Sequence, residues 1–160
     1  MESKPTTHLT QPQSAADWLQ ARELVEEYAA SLNLDLAFQD FPHELEHLDT
    51  EYAAPTGAFL LARERGEGLG CAGLRRFADG DGEIKRLYVV PAARGRGIGA
   101  LLAGGIVAEA RRLGYARLLL DTLPAMRPAQ SLYASLGFKP TTAYRYNPLA
   151  GAAFLELLLR

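Results

Sequence analysis

"EIKRLYVVPAARGRGIGALL", Glu83 to Leu102, decides how this chain is read. A strand-like apolar run ends at Val90 and the chain turns at Pro91. Arg94, Gly95, Arg96, Gly97 and Gly99 then fall within six positions before a helical apolar pattern sets in. The first N–H groups of a helix have no partner inside it and point the same way, and the helix dipole adds about half a positive charge there. Glycines let the backbone close on a bulky group, and arginines add charge that reaches a phosphate. The loop is therefore read as an anion site, with a pyrophosphate as the anion it suits.

The elements on either side place this loop inside a βαβ crossover. The helix runs from Gly97 to Leu113 and is capped by Gly114, and "ARLLLDT" follows as a strand. Upstream, "AFLLARE", "GCAGLRRF" and "GEIKRLYVV" read as strands of an antiparallel meander, separated by the turn-rich "RGEGLG" and "ADGDG". Further upstream, Lys4–Thr10 reads as a short strand, and Ser14 as an N-cap with Asp17 three residues on. Ala15–Leu32 is then an amphipathic helix. "LDLAFQDFP" reads as a loop, and Pro42 opens a second helix to about Tyr52, with Leu45, Leu48 and Tyr52 on one face. Downstream, Arg127–Leu136 is a short helix ended by Gly137, and "FKPTTAYRY" and "AAFLELLL" read as two closing strands. The order predicts a mixed α/β fold around one central sheet, as a single domain over residues 1–160.

Composition sets outer bounds. The polar start "MESKPTTHLTQPQS" does not read as a secretory signal. No apolar run approaches the ~20 residues that span a bilayer. The single cysteine, Cys71, has no partner for an internal disulfide and is expected to be a buried thiol of a cytoplasmic protein. Charge is unevenly spread: Glu23 to Ala62 holds nine acids and no Lys or Arg, whereas the rest holds all 17 basic residues against ten acids. One part of the chain suits a cation and the other an anion.

Two other motifs compete with the anion loop. Gly95-Arg96-Gly97-Ile98-Gly99-Ala100 fits the dinucleotide pattern G-x-G-x-x-G/A, with Asp121 at a later strand end. However, "PAAR" separates the glycines from their strand, and only 39 residues follow Asp121, too few to complete a doubly wound sheet. His43-Glu44-Leu45-Glu46-His47 is literally H-E-x-x-H. Yet His43 directly follows Pro42 in the first helical turn, and candidate third ligands fall in a turn-rich hairpin. No metal is expected.

Arg94-x-x-Gly97-x-Gly99 after a strand and a Pro turn closely resembles the acetyl-CoA signature of the GNAT superfamily, the GCN5-related N-acetyltransferases. "LYASLGF", Leu132 to Phe138, resembles that family's fourth-helix motif. The resemblance implies the GNAT fold, a mixed and mostly antiparallel sheet with a βαβ acetyl-CoA unit and flanking helices. It implies an N-acetyltransferase with acetyl-CoA as cosubstrate. The cofactor-binding residues would be Leu87, Tyr88 and Val89, whose main chain meets the pantetheine arm, then Arg94, Gly95, Arg96, Gly97, Ile98, Gly99 and Ala100, with Tyr133. A backbone N–H near Val89 would polarise the thioester carbonyl. Tyr133 matches the tyrosine that protonates the leaving thiolate, and either Asp121 or Glu83 would take the amine proton. Many members have an Asn where this chain has Met126, which removes one cofactor contact.

The family builds its acceptor pocket from the first two helices and the last hairpin. Here these bring the acidic segment with Phe38 and Phe41, and Asn147 in "YRYNPLAG". Acids beside aromatics suit a small cationic amine or a peptide amino terminus; a non-catalytic acyl-CoA sensor is the alternative to an enzyme. No nucleic-acid or membrane partner is expected, and the chain is expected to be a monomer or homodimer.

Overall fold

The computed structural model describes residues 6–32, 40–123 and 127–159. Within them, seven strands form one sheet in the order β1-β2-β3-β4-β5-β7-β6. The strands are β1 (His8–Thr10), β2 (Ala58–Glu64), β3 (Glu67–Ala78), β4 (Asp81–Val89), β5 (Arg117–Thr122), β6 (Lys139–Pro140) and β7 (Ala153–Leu158). Every neighbouring pair is antiparallel except β4 and β5, which are parallel and joined through helix α4 (Ile98–Arg112). A parallel pair needs such a crossover.

Strand alternation sends side chains to two separate cores. Leu60, Ala62, Ala72, Leu74, Ile84, Leu118 and Leu120 pack on one face with Leu102 and Ile106 of α4. Tyr133 of α5 (Arg127–Ser135) joins that core. Phe59, Leu61, Cys71 and Tyr88 pack on the other face with Ala21, Leu24 and Val25 of α1 (Ala15–Leu32). Cys71 is the buried free thiol expected of it. The α1 bounds are those read from the sequence. Asp17 N–H donates to the Ser14 hydroxyl at 3.1 Å, and the Asp17 carboxylate accepts from Gln13 N–H at 2.9 Å, a variant of the capping box that bonds the residue before the cap.

The second helix departs from expectation. Instead of one helix to Tyr52, there are two short ones, α2 (Phe41–Glu46) and α3 (Leu48–Glu51), broken at His47. In an unbroken helix the His47 N–H would bond the His43 carbonyl. The His47 imidazole Nδ1 takes that carbonyl at 2.8 Å instead, and the His47 N–H turns to Glu44 O at 3.0 Å.

The closing hairpin also differs. The expected strand "FKPTTAYRY" is reduced to Lys139–Pro140, with one further bond from Thr141 N–H to Phe154 O. Beyond it Tyr144 and Arg145 turn inward to bond the buried Glu83. A regular strand would send these two consecutive side chains to opposite faces and leave that carboxylate short of one of its donors. No helix among the described residues is long and apolar enough to cross a membrane.

Candidate active site

β4 and β5 are hydrogen-bonded only from Asp81–Glu83 to Arg117–Leu119, and then they separate. On its other side β4 keeps pairing with β3, but with a register shift: Lys85 faces Gly73 and Tyr88 faces Cys71. Two residues of β4, Arg86 and Leu87, therefore stand against one of β3, which is a bulge. Arg86 carries it with a left-handed φ of 60°. Past the bulge, Leu87, Tyr88 and Val89 line a cleft of about 530 Å³.

The rest of that cleft is the predicted loop. Arg94, Gly95, Gly97, Ile98 and Gly99 line it, with Ala129 and Leu132 of α5 opposite and Tyr28 of α1 at one side. Gly97 is the N-cap of α4 with φ 79° and no side-chain cap, so the first-turn N–H groups are not capped from within. A Cβ added at Gly95 or Gly97 would meet no atom within 4 Å, so the space over both is open. An anion-accepting backbone beside open space fits a pyrophosphate.

Two predicted loop residues do not line the cleft. Arg96 pairs with Glu64 of β2 and is directed away from the loop; Ala100 lies one position beyond the lining glycine. Arg94 donates from Nε to Val89 O at 3.1 Å, with its guanidinium 5.8 Å from the Tyr88 ring centroid. It thereby braces the end of β4 against the loop.

Of the predicted acid–base residues, Asp121 is on β5 beyond the paired stretch, Glu83 is within that stretch and Tyr133 is in the α4-side core; none is among the residues that line the cleft. Asp121, near the end of β5, accepts from Asn147 Nδ2 at 3.0 Å and faces Lys85 Nζ at 3.8 Å. Asn147 also closes its own turn, its Oδ1 accepting from Leu149 N–H at 3.0 Å. Its side chain is thus committed on both ends. Burial pulls the Lys85 ammonium down to about 8, against the opposing charge of Glu83.

Glu83 has no exposed surface and accepts from Tyr144 Oη at 2.7 Å, Arg145 Nη2 at 2.7 Å and Arg75 Nε at 3.3 Å. Tyr133 is buried in α5, with its ring edge-on to Phe138 at 5.5 Å. Burial pushes its phenol up, and Tyr28 and Asp121 add to the rise.

Sequence reading missed one feature of this region. Glu44, in the middle of the H-E-x-x-H stretch, is buried and accepts from Arg86 Nε at 2.7 Å, Arg86 Nη2 at 3.0 Å, Tyr52 Oη at 3.1 Å and Arg75 Nη1 at 3.4 Å. Burial alone would raise its carboxyl, but Arg86 and Arg75 outweigh burial and hold it below the ordinary value. The available signal was Lys85-Arg86, two cations in the middle of a buried strand, with Arg86 42 residues from Glu44 in an acid-rich helix.

Among the described residues, part of the acidic segment is turned to arginines, while Glu27 bonds the Tyr88 hydroxyl at the cleft. Glu44 and Glu51 face Arg75, and Glu26 pairs with Arg22. Phe41 lies under the Arg86 guanidinium at 5.1 Å. Phe38 and Met126 fall outside the described residues. The His43 and His47 rings stack at 4.3 Å, and no group of three or more His, Cys, Asp or Glu among the described residues is placed to hold a metal ion.

Residues 18–138 match the model of the acetyltransferase (GNAT) family. The chain is 40% identical, over 91% of its length and 89% of the relative's, to an uncharacterised N-acetyltransferase of Schizosaccharomyces pombe. In structure it resembles a GNAT-family acetyltransferase of Staphylococcus aureus, with TM-score 0.81 and 19% identity over 97% of this chain and 100% of that one. It also resembles an acetyltransferase of Salmonella typhimurium solved with its cofactor acetyl-CoA, with TM-score 0.68 and 22% identity over 96% and 94% of the two chains.

Proposed function

This chain belongs to the GNAT acetyltransferase family, and from that premise we propose that it acetylates a small primary amine by direct attack within a ternary complex. It is an acetyl-CoA-dependent N-acetyltransferase; the acceptor and the residue roles are the proposal. The observation that carries it is the cleft between the separated β4 and β5, floored by Leu87–Val89 and ended by the Gly95–Gly99 loop.

Acetyl-CoA supplies an acetyl group activated as a thioester. The α4 N-terminus and the glycine loop hold its phosphates through backbone N–H groups, with Arg94 adding charge at the rim. The main chain of Leu87, Tyr88 and Val89, which no strand covers on the β5 side among the described residues, receives the extended arm as a further strand would be received. A backbone N–H near Val89 polarises the thioester oxygen.

Asp121 is the base. Its carboxylate draws an ammonium group to the gap and takes one proton from it, directly or through a water, before the new N–C bond forms. Asn147 and Lys85 hold it there. Glu83 is assigned a supporting role, because its oxygens already accept from Arg75, Tyr144 and Arg145 and it has no exposed surface. Tyr133 gives its proton to the departing thiolate as the C–S bond breaks, and the second proton, lost by the nitrogen as the amide forms, passes through solvent to restore the phenol. A phenol raised by burial stays protonated at neutral pH, as a proton donor must.

The cationic character of the acceptor rests on Asp121 and on Glu27, which bonds Tyr88 at the cleft, since Glu44 and Glu51 face arginines. Incubation of the protein and acetyl-CoA with a pool of small amines, and separately with short peptides, tests the acceptor class by mass spectrometry. Transfer confined to peptides would move the assignment to a peptide N-acetyltransferase. Saturable acetyl-CoA binding with no acetylated product in either pool would leave a sensor.

A further inference from the structure

We infer that Glu44 is a positioning residue: it holds Arg86 in the left-handed conformation of the β4 bulge and so sets the Leu87–Val89 backbone that faces the cleft. The inference rests on the reading of that cleft as the acetyl-CoA site.

A non-glycine residue in the left-handed region meets a steric penalty and persists only where its surroundings over-determine it. Arg86 is such a residue, with φ 60°. Its backbone carbonyl accepts from Cys71 Sγ at 3.3 Å. Its guanidinium makes two hydrogen bonds to Glu44, at 2.7 and 3.0 Å, and both side chains are almost fully buried. The same guanidinium lies 5.1 Å from the Phe41 ring centroid and 5.9 Å from that of Tyr28. Tyr28 is edge-on to Tyr88, and both rings line the cleft.

Glu44 is itself fixed from a second direction by Tyr52 and Arg75. It therefore joins α2 to β4 at the cleft-side bulge, one of two places where β4 and β3 leave register. Straightening the bulge would shift the register of every residue beyond it, and a one-residue slip reverses which face each side chain takes. The H-E-x-x-H stretch thus serves the cleft through its glutamate rather than through its histidines.

The experiment turns on glycine, which adopts positive φ without the penalty. If Glu44 serves to keep residue 86 left-handed, glycine at 86 makes Glu44 dispensable and alanine does not. The variants are Glu44→Gln, Glu44→Gln with Arg86→Gly, and Glu44→Gln with Arg86→Ala. The two double variants share nearly the same cavity and differ by one methyl group, so general destabilisation affects them alike. Calorimetry with acetyl-CoA and backbone amide NMR of Leu87, Tyr88 and Val89 are the readouts, and neither needs an acceptor.

Glu44→Gln should weaken acetyl-CoA binding, and the glycine double variant should bind about tenfold more tightly than the alanine one. Its Leu87–Val89 amides should return toward their wild-type positions. Equal affinity and equal spectra for the two double variants would overturn the inference, as would wild-type affinity in Glu44→Gln. Where Glu44→Gln alone does not fold, the comparison of the double variants decides. Wild-type protein that fails to bind acetyl-CoA would instead overturn the reading of the cleft.

Discussion

Tyr133 and Asp121 are single groups whose roles separate cleanly in kinetics. Tyr133→Phe keeps the ring against Phe138 and removes only the hydroxyl. A positioned general acid contributes about 10²–10⁴ in rate, and a thiol is already a fair leaving group, so a loss near ~10² in the single-turnover transfer rate is expected. Acetyl-CoA affinity should change little. An unchanged single-turnover rate would show that water protonates the thiolate. Asp121→Asn should lower transfer by a similar or larger factor. It also removes one of the two carboxylates, with Glu83, whose charge opposes the burial of Lys85, so its unfolding midpoint in urea should fall. Gly97→Glu acts differently again. A side chain at φ 79° is strained by roughly 1–2 kcal/mol, and its carboxylate repels an anion at the helix end. Calorimetry should find acetyl-CoA binding abolished while circular dichroism remains that of the folded protein.

At the scale of elements, close approach between the α2–α3 unit and the sheet matters most. Tyr52, at the end of α3, lies directly over Gly73 of β3, where an added Cβ would stand 2.5 Å from the ring. Neither the ring nor the strand has free space to yield, so Gly73→Ala should destabilise by about 1–3 kcal/mol, read from denaturant midpoints. Because Tyr52 also donates to Glu44, the same variant should weaken acetyl-CoA binding. Normal affinity in a destabilised Gly73→Ala protein would indicate that the α2–α3 unit moves without disturbing the bulge.

For the whole molecule, the buried charges on the α1–α2 face give stability a defined dependence on pH. The Glu44 carboxyl lies below its ordinary value of 4.5 in the folded protein. The unfolded chain therefore binds this proton more readily, so the contribution of Glu44 is complete above the unfolded pKa and is lost as pH falls through the folded one. Urea midpoints of the wild-type protein should decline on acidification from about pH 5 downward. Glu44→Gln should be less stable at neutral pH and decline less steeply. Parallel acid limbs for the two proteins would contradict the assignment of Glu44 as an ionised partner of Arg86.

The local features of this chain were legible in its sequence because backbone preference encodes them within a few residues. Ser14 and Asp17 start α1, Gly97 and Gly114 bracket α4, and the strand–loop–helix–strand order gives the βαβ unit that the structure contains. The glycine loop needed only its own residues to be read as a candidate anion site. Tertiary structure decided what each charge does. Arg96 was read as a phosphate contact, yet sheet order brings it to Glu64. Glu83 was a candidate base, yet the closing segment delivers Tyr144 and Arg145 to it and shortens β6 in doing so. Asn147 was a candidate acceptor contact, and the fold has it close a turn and bond Asp121. Glu44 and Arg86 are 42 residues apart, and their pairing depends on a one-residue bulge that no local pattern specifies. Conformational preference acts along the chain, whereas the partner of a buried charge is chosen by strand register across the sheet.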